Sequence, residues 1–172
     1  MLSQSKRITI CALLTTAGLI LGYLESFIVL PVHIPGIRIG LANIVSLIAL
    51  YLTGPVSSAA VAVLRVTLSG LLFGSPVSFA YSLAGALVSV TGMYVMKKLR
   101  FSIYSVSVTG AILHNTAQIV VARFFVGSGY VFVYIPVLWA AGIIAGLFVG
   151  FLSNVLISRL ADIIYSQQGG SR

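Results

Sequence analysis

The sequence predicts an all-α integral membrane protein, a bundle of about six transmembrane helices forming one domain over residues 1–172. Three observations predict it. First, 59% of the residues are hydrophobic and only 7% are charged, whereas a soluble domain carries about 25% charged residues. So few charges cannot cover a water-facing surface, so lipid is the solvent. Second, the apolar residues fall into runs near the ~20 residues that cross a ~30 Å hydrocarbon core. Third, proline, glycine or charge separates the runs.

The elements follow in order. The first span is expected at about 8–30, ending at Pro31, because Pro31–Gly40 carries two prolines and two glycines and cannot continue a regular helix. The second is short, about 40–53, and stops at Gly54-Pro55. The third, about 56–73, is closed by Gly74-Ser75-Pro76, and the fourth, about 79–96, by Lys97-Lys98-Leu99-Arg100. The fifth covers about 102–126 and ends at Gly127-Ser128-Gly129. The last covers about 130–157 with a break near Pro136, and a polar tail is expected from Ser158. These spans use nearly the whole chain and leave no room for a soluble domain.

Charge sets the expected topology. The net charge is +8, with Glu25 and Asp162 as the only acids. In a soluble protein this balance suggests nucleic acid; here the charge sits at helix ends, where it reports orientation and anionic lipid. Lys6, Arg7, Lys97, Lys98, Arg100, Arg159 and Arg172 fall on one side of the bundle, and only Arg38 and Arg123 on the other. Positive residues stay inside, so both termini are expected in the cytoplasm. The run from Ile8 is too long, and lacks a small-x-small site, for a cleaved signal peptide. Cys11 is the single cysteine, which precludes an intrachain disulfide.

The absences exclude several activities. No Walker A motif occurs, so P-loop ATP hydrolysis is not expected. No Cys/His cluster offers a metal site. Asp162 is the only aspartate, so no Asp-rich motif can hold Mg²⁺ on a diphosphate, as enzymes that build polyprenyl chains require. No nucleophile elbow or paired carboxylates appear. Neither catalysis nor a cofactor is expected.

Three features remain as candidates for function. Stripes of small residues recur at spacing four: Gly142, Gly146 and Gly150 in the last span, and Ala12, Thr16, Gly18 and Gly22 in the first. Such stripes let backbones approach closely, and serve either packing within the bundle or docking to a partner helix. Polar groups within the spans form the second feature, because each is costly in lipid unless paired or hydrated. They are Glu25, Asn43, Arg65, His114, Asn115 and Gln118. His114 and Gln118 are four residues apart and share a face, with Asn115 at its edge. Arg123 points away from them. Glu25 and Arg65 make either a buried pair or a binding site. Third, the segment 31–39 holds His33 and Arg38 among apolar residues. It reads either as a lid over a cavity or as an interfacial segment.

Four stretches carry a resemblance: PGIRIGLANIVSLIALYLTGP (Pro35–Pro55), VLRVTLSGLLFGSP (Val63–Pro76), SFAYSLAGALVSVTGM (Ser78–Met93) and GAILHNTAQIVVA (Gly110–Ala122). Together and in this order they resemble the bacterial membrane family named heptaprenyl diphosphate synthase component I, also called the Gx transporter family. The architecture looks like the S component of an energy-coupling factor (ECF) transporter. That resemblance implies a substrate-binding subunit in the bacterial plasma membrane, with a lid between the first and second helices. It also implies a coupling subunit that meets the first helix, and two cytosolic ATPases behind it. The family's stripe on that helix is alanine at spacing four; here Ala12 is followed by Thr16. The implied substrate-binding residues are Glu25, His33, Arg38, Asn43, Arg65, His114, Asn115 and Gln118, and the docking residues are Ala12, Thr16, Gly18 and Gly22. The arginine surplus suits an anionic, vitamin-like substrate such as a flavin nucleotide or a prenyl phosphate. The family's other name implies an alternative, a non-catalytic accessory subunit of a prenyl diphosphate synthase. Its cytoplasmic docking surface would be confined to Lys97–Arg100 and Ser158–Arg172, small beside a standard interface of about 800 Å² per partner.

Overall fold

In the computed structural model the described residues are 3–25, 27 and 41–169. They form six α-helices and one short 3₁₀ segment, with no strand among them. The helices are α1 (Gln4–Glu25), α2 (Asn43–Leu52), α3 (Pro55–Phe73), α4 (Pro76–Lys98), α5 (Ile103–Val126) and α6 (Ile135–Gly169), with the 3₁₀ turn Gly129–Tyr134 before α6. Among the described residues four stretches are long and apolar enough to cross a membrane: α1, α3, α4 and the run Gly129–Ala161.

The six helices agree with the expected number, and the expectation of about six membrane spans holds roughly. α2 has 10 residues, about 15 Å at 1.5 Å per residue, half of a hydrocarbon core. α5 has the length, 24 residues, but its apolar character is diluted by His114, Asn115, Gln118 and several hydroxyls. α1 is described as far as Glu25, and residues 28–30 of the expected span lie outside the described residues. α6 runs through Ser158 to Gly169: the Ser158 hydroxyl donates back to the carbonyls of Asn154 and Val155, both at 3.0 Å, so this serine is absorbed into the helix instead of ending it.

Local chemistry explains the starts. α3 and α4 each begin with proline at the first helical position, where its missing N–H costs nothing. The hydroxyls of Ser75 and Ser102 cap α4 and α5 by accepting from Ser78 and Ser105 N–H at 3.1 and 3.2 Å, satisfying donors that the helix cannot. α5 stops at Gly127, whose φ of 70° is a left-handed conformation that glycine adopts without strain.

The assembly is a wheel. α2 is the hub: Asn43 to Leu50 are all buried, and it packs against each of the other five α-helices. Around it α1 meets α3, α3 meets α4, α4 meets α5, and α5 meets α6. No contact closes the ring between α6 and α1 among the described residues. The stripe in α6 seals one of these seams. A Cβ on Gly146 would lie 2.8 Å from the Cα of Val108, and one on Gly150 3.2 Å from the Cα of Tyr104. Gly142, Gly146 and Gly150 therefore face α5, and only hydrogen at those positions lets the two backbones come so near.

α2 is neutralised at both ends. At its C-terminal end Lys97 Nζ donates to Leu50 O at 2.7 Å and lies 4.5 Å from the Tyr51 ring centroid. Arg7 Nη2 donates to Thr53 O at 3.3 Å. These cations meet the negative end of the helix dipole. Lys6, Arg7, Lys97, Lys98 and Arg100 thus share one end of the wheel, called here the basic end.

Candidate functional site

Because α2 fills only the basic half of the wheel, its first turn lies at mid-depth. Arg65, ten residues beyond the start of α3, lies at the same level. The two meet: Arg65 Nη2 donates to Asn43 Oδ1 at 3.3 Å, both residues buried. One residue earlier, the N–H of Ala42 donates to Glu25 Oε2 at 3.4 Å. Glu25, at the end of α1 and only 4% exposed, therefore sets its carboxylate against the positive end of the α2 dipole. Three helices place one polar group each around the start of α2.

Gly18 makes this arrangement possible. A Cβ there would sit 2.6 Å from Arg65 Cδ and 2.7 Å from Val45 Cγ2. The aliphatic stem of Arg65 thus runs across the bare backbone of α1, and the arginine reaches the hub without a void. Gly22 is buried on the same side of α1. Of the four small residues singled out in α1, Gly18 and Gly22 face inward, while Ala12 and Thr16 are exposed.

The polar face of α5 divides. His114 and Gln118 lie against α4, where a Cβ on Gly85 would meet His114 Nδ1 at 2.8 Å and Gln118 Cγ at 3.2 Å. Asn115 faces the other way: its Nδ2 donates to Leu138 O of α6 at 2.7 Å, beneath Gly142. Asn115 therefore ties α5 to α6, beside the bond from Trp139 Nε1 to Thr116 Oγ1 at 3.0 Å. The structure brings Glu25, Asn43 and Arg65 together around α2 and sets His114 and Gln118 behind α4. His33, Arg38 and the segment 31–39 lie outside the described residues.

Sequence reasoning passed over three serines. Ser69, Ser78 and Ser82 line a small hollow between α3 and α4, together with Arg65, Gly70 and Phe79. Spacing held the signal: Ser69 stands four residues after Arg65, and Ser82 four after Ser78, so each pair shares a helix face. Serine is common in buried helices, and that pattern does not stand out from packing. The hollow gives Arg65 a hydroxyl-rich flank. Among the described residues no group of three His, Cys, Asp or Glu side chains comes together to hold a metal ion.

The heptaprenyl diphosphate synthase component I family matches residues 14–156, which take in all four stretches quoted above, α2 to α5 whole, and most of α1 and α6. The chain belongs to that family. This member of the heptaprenyl diphosphate synthase component I family also shares its fold with a solved S component of a bacterial ECF transporter. The two superpose with a TM-score of 0.69 at 21% identity, covering 94% of this chain and 99% of that one. At that identity the likeness is one of fold. No curated protein matches the chain.

Proposed function

We propose that this family member is the substrate-binding membrane subunit of an ECF-type, ATP-driven transporter, and that it captures a small anionic solute. The observation that carries the reading is the meeting of Arg65 with the first turn of the half-length helix α2. Discontinuous helices whose N-termini point into the middle of a membrane protein are a recurring way to receive an anionic substrate. Arg65 and the start of the α2 dipole carry positive potential beside the carboxylate of Glu25, which suits an anion. The planar guanidinium holds a phosphate or carboxylate in two hydrogen bonds. Ser69, Ser78 and Ser82 add hydroxyl donors beside Arg65. A vitamin-like phosphate, with a flavin nucleotide as the first compound to test, has the required chemistry. Gln118 and His114, buried behind Gly85, complete the polar surround as positioning residues.

The same reading assigns partners. A transmembrane coupling subunit, driven by two cytosolic ATPases, meets the outward face of α1 at Ala12 and Thr16. The protein resides in the bacterial plasma membrane with the basic end in the cytoplasm. Replacing Thr16 with Leu fills the approach of a partner helix and is expected to abolish co-purification of the coupling subunit while the protein stays monodisperse.

Native mass spectrometry of the protein purified from cells tests the substrate class. A released small molecule carrying phosphate or carboxylate is the expected result. Release of a cationic or uncharged compound as the only ligand overturns the anion reading.

A further inference from the structure

A groove lies between the first halves of α1 and α3, at the basic end and away from Arg65. It has a volume of about 640 Å³ and opens to the outside of the wheel. The small side chains of Cys11, Ala12 and Ala60 line it beside three exposed apolar ones, Ile8, Val56 and Leu64. Its polar groups are confined to one end: Gln4 and Arg7 in the first turns of α1, and Ser57 in the first turn of α3. From Ser57 to Leu64 it covers about 10 Å of depth, roughly a third of a hydrocarbon core.

Arg7 is held in place rather than free to wander. Its Nη2 donates to Ser57 Oγ at 3.0 Å and to Thr53 O at 3.3 Å. Both acceptors are uncharged, and among the described residues no carboxylate lines the groove. The guanidinium therefore stands at the mouth of an apolar channel with further N–H donors to offer.

We propose that the groove binds an anionic phospholipid. The phosphate sits on Arg7 and Gln4, and one acyl chain runs inward past Ile8, Cys11, Ala12, Ala60 and Leu64. A single lipid supplies both the anion at one end and the hydrocarbon beyond it. A partner helix in the same groove would fill the apolar part but leave the charge of Arg7 without an anion. Ala12 belongs both to this path and to the docking face proposed on α1, so the proposal concerns the chain without a docked coupling subunit.

The test uses the full chain in vesicles. Trp139 is the only tryptophan, so Trp139→Phe with Ile8→Trp places a single reporter in the groove wall. Lipids with brominated acyl chains quench it on contact. In phosphatidylcholine vesicles, brominated phosphatidylglycerol is expected to associate about fivefold more strongly than brominated phosphatidylcholine, the scale of one basic residue near an anionic surface. Arg7→Gln should bring that ratio to about one, and Arg7→Lys should retain part of it, with thermal melts confirming that both variants are folded. Equal quenching by the two lipids overturns the proposal, as does a preference that survives Arg7→Gln. Relief of quenching by millimolar inorganic phosphate would assign the site to a free anion and overturn the lipid.

Discussion

Arg65 Nη2 donates to Asn43 Oδ1 across 3.3 Å, and this bond joins the middle of α3 to the first turn of α2. It explains how a membrane-buried arginine is tolerated. The stem crosses Gly18, the head meets a carboxamide, and the start of α2 is held in turn by Glu25 through the N–H of Ala42. The charge is solvated by protein rather than by lipid.

Gly18→Ala tests the first part of that chain. The added carbon would lie 2.6 Å from Arg65 Cδ and 2.7 Å from Val45 Cγ2, so the arginine stem or α1 must shift. A loss of about 1–3 kcal/mol is expected from such overpacking, together with weaker ligand binding. Thermal unfolding and ligand titration of the variant measure both; a variant as stable as wild type that binds normally would mean the stem moves aside freely.

Glu25 gives a prediction with a sign. Glu25→Gln keeps an oxygen acceptor for the Ala42 N–H but removes the negative charge. An anionic ligand should then bind at least as tightly as in wild type, because repulsion at the site falls. Glu25→Ala leaves the amide unsatisfied and is expected to cost about 1–2 kcal/mol of stability. Loss of affinity in Glu25→Gln would show that the carboxylate itself contacts the ligand.

The α5–α6 seam predicts a graded series. At Gly146 a Cβ meets backbone at 2.8 Å, and at Gly150 the nearest contacts are 3.2 Å. Backbone cannot rotate out of the way as a side chain can. Gly146→Ala should therefore lower the melting temperature more than Gly150→Ala, with ligand affinity changed less than twofold in both. The reverse order would mean that α6 slides along α5 at no cost.

Much of this architecture was legible in the residues. Pro55 and Pro76 mark helix starts, and Lys97 to Arg100 mark a turn, because proline and charge act locally. The sites were legible only as a roster. Spacing put Gly18 and Gly22 on one face of α1, but could not say whether that face met Arg65 or another protein. It put Asn115 beside His114 and Gln118, yet 100° per residue was enough to turn Asn115 toward Leu138 of α6 while the other two face α4. Gly54-Pro55 marked the second helix as short, but the level at which it sets Asn43 against Arg65 depends on how its neighbours pack, and no local signal carries that.

Topology has a direct measurement. On a Cys11→Ser background, Gln168→Cys should resist a membrane-impermeant thiol reagent in intact cells and react after lysis, whereas Ser128→Cys should react in intact cells. This follows from the basic end facing the cytoplasm. Labelling of position 168 from outside would invert the assignment.

The central claim is that Arg65 holds an anionic substrate, and Arg65→Gln tests it most directly when affinity and stability are measured on the same preparation. Glutamine keeps a donor for Asn43 but loses the charge and the fork. The account predicts that affinity for the anionic ligand recovered from the wild-type protein falls by at least tenfold, about 1.4 kcal/mol, while the melting temperature of the ligand-free protein changes little. Unchanged affinity in a folded Arg65→Gln variant would contradict it.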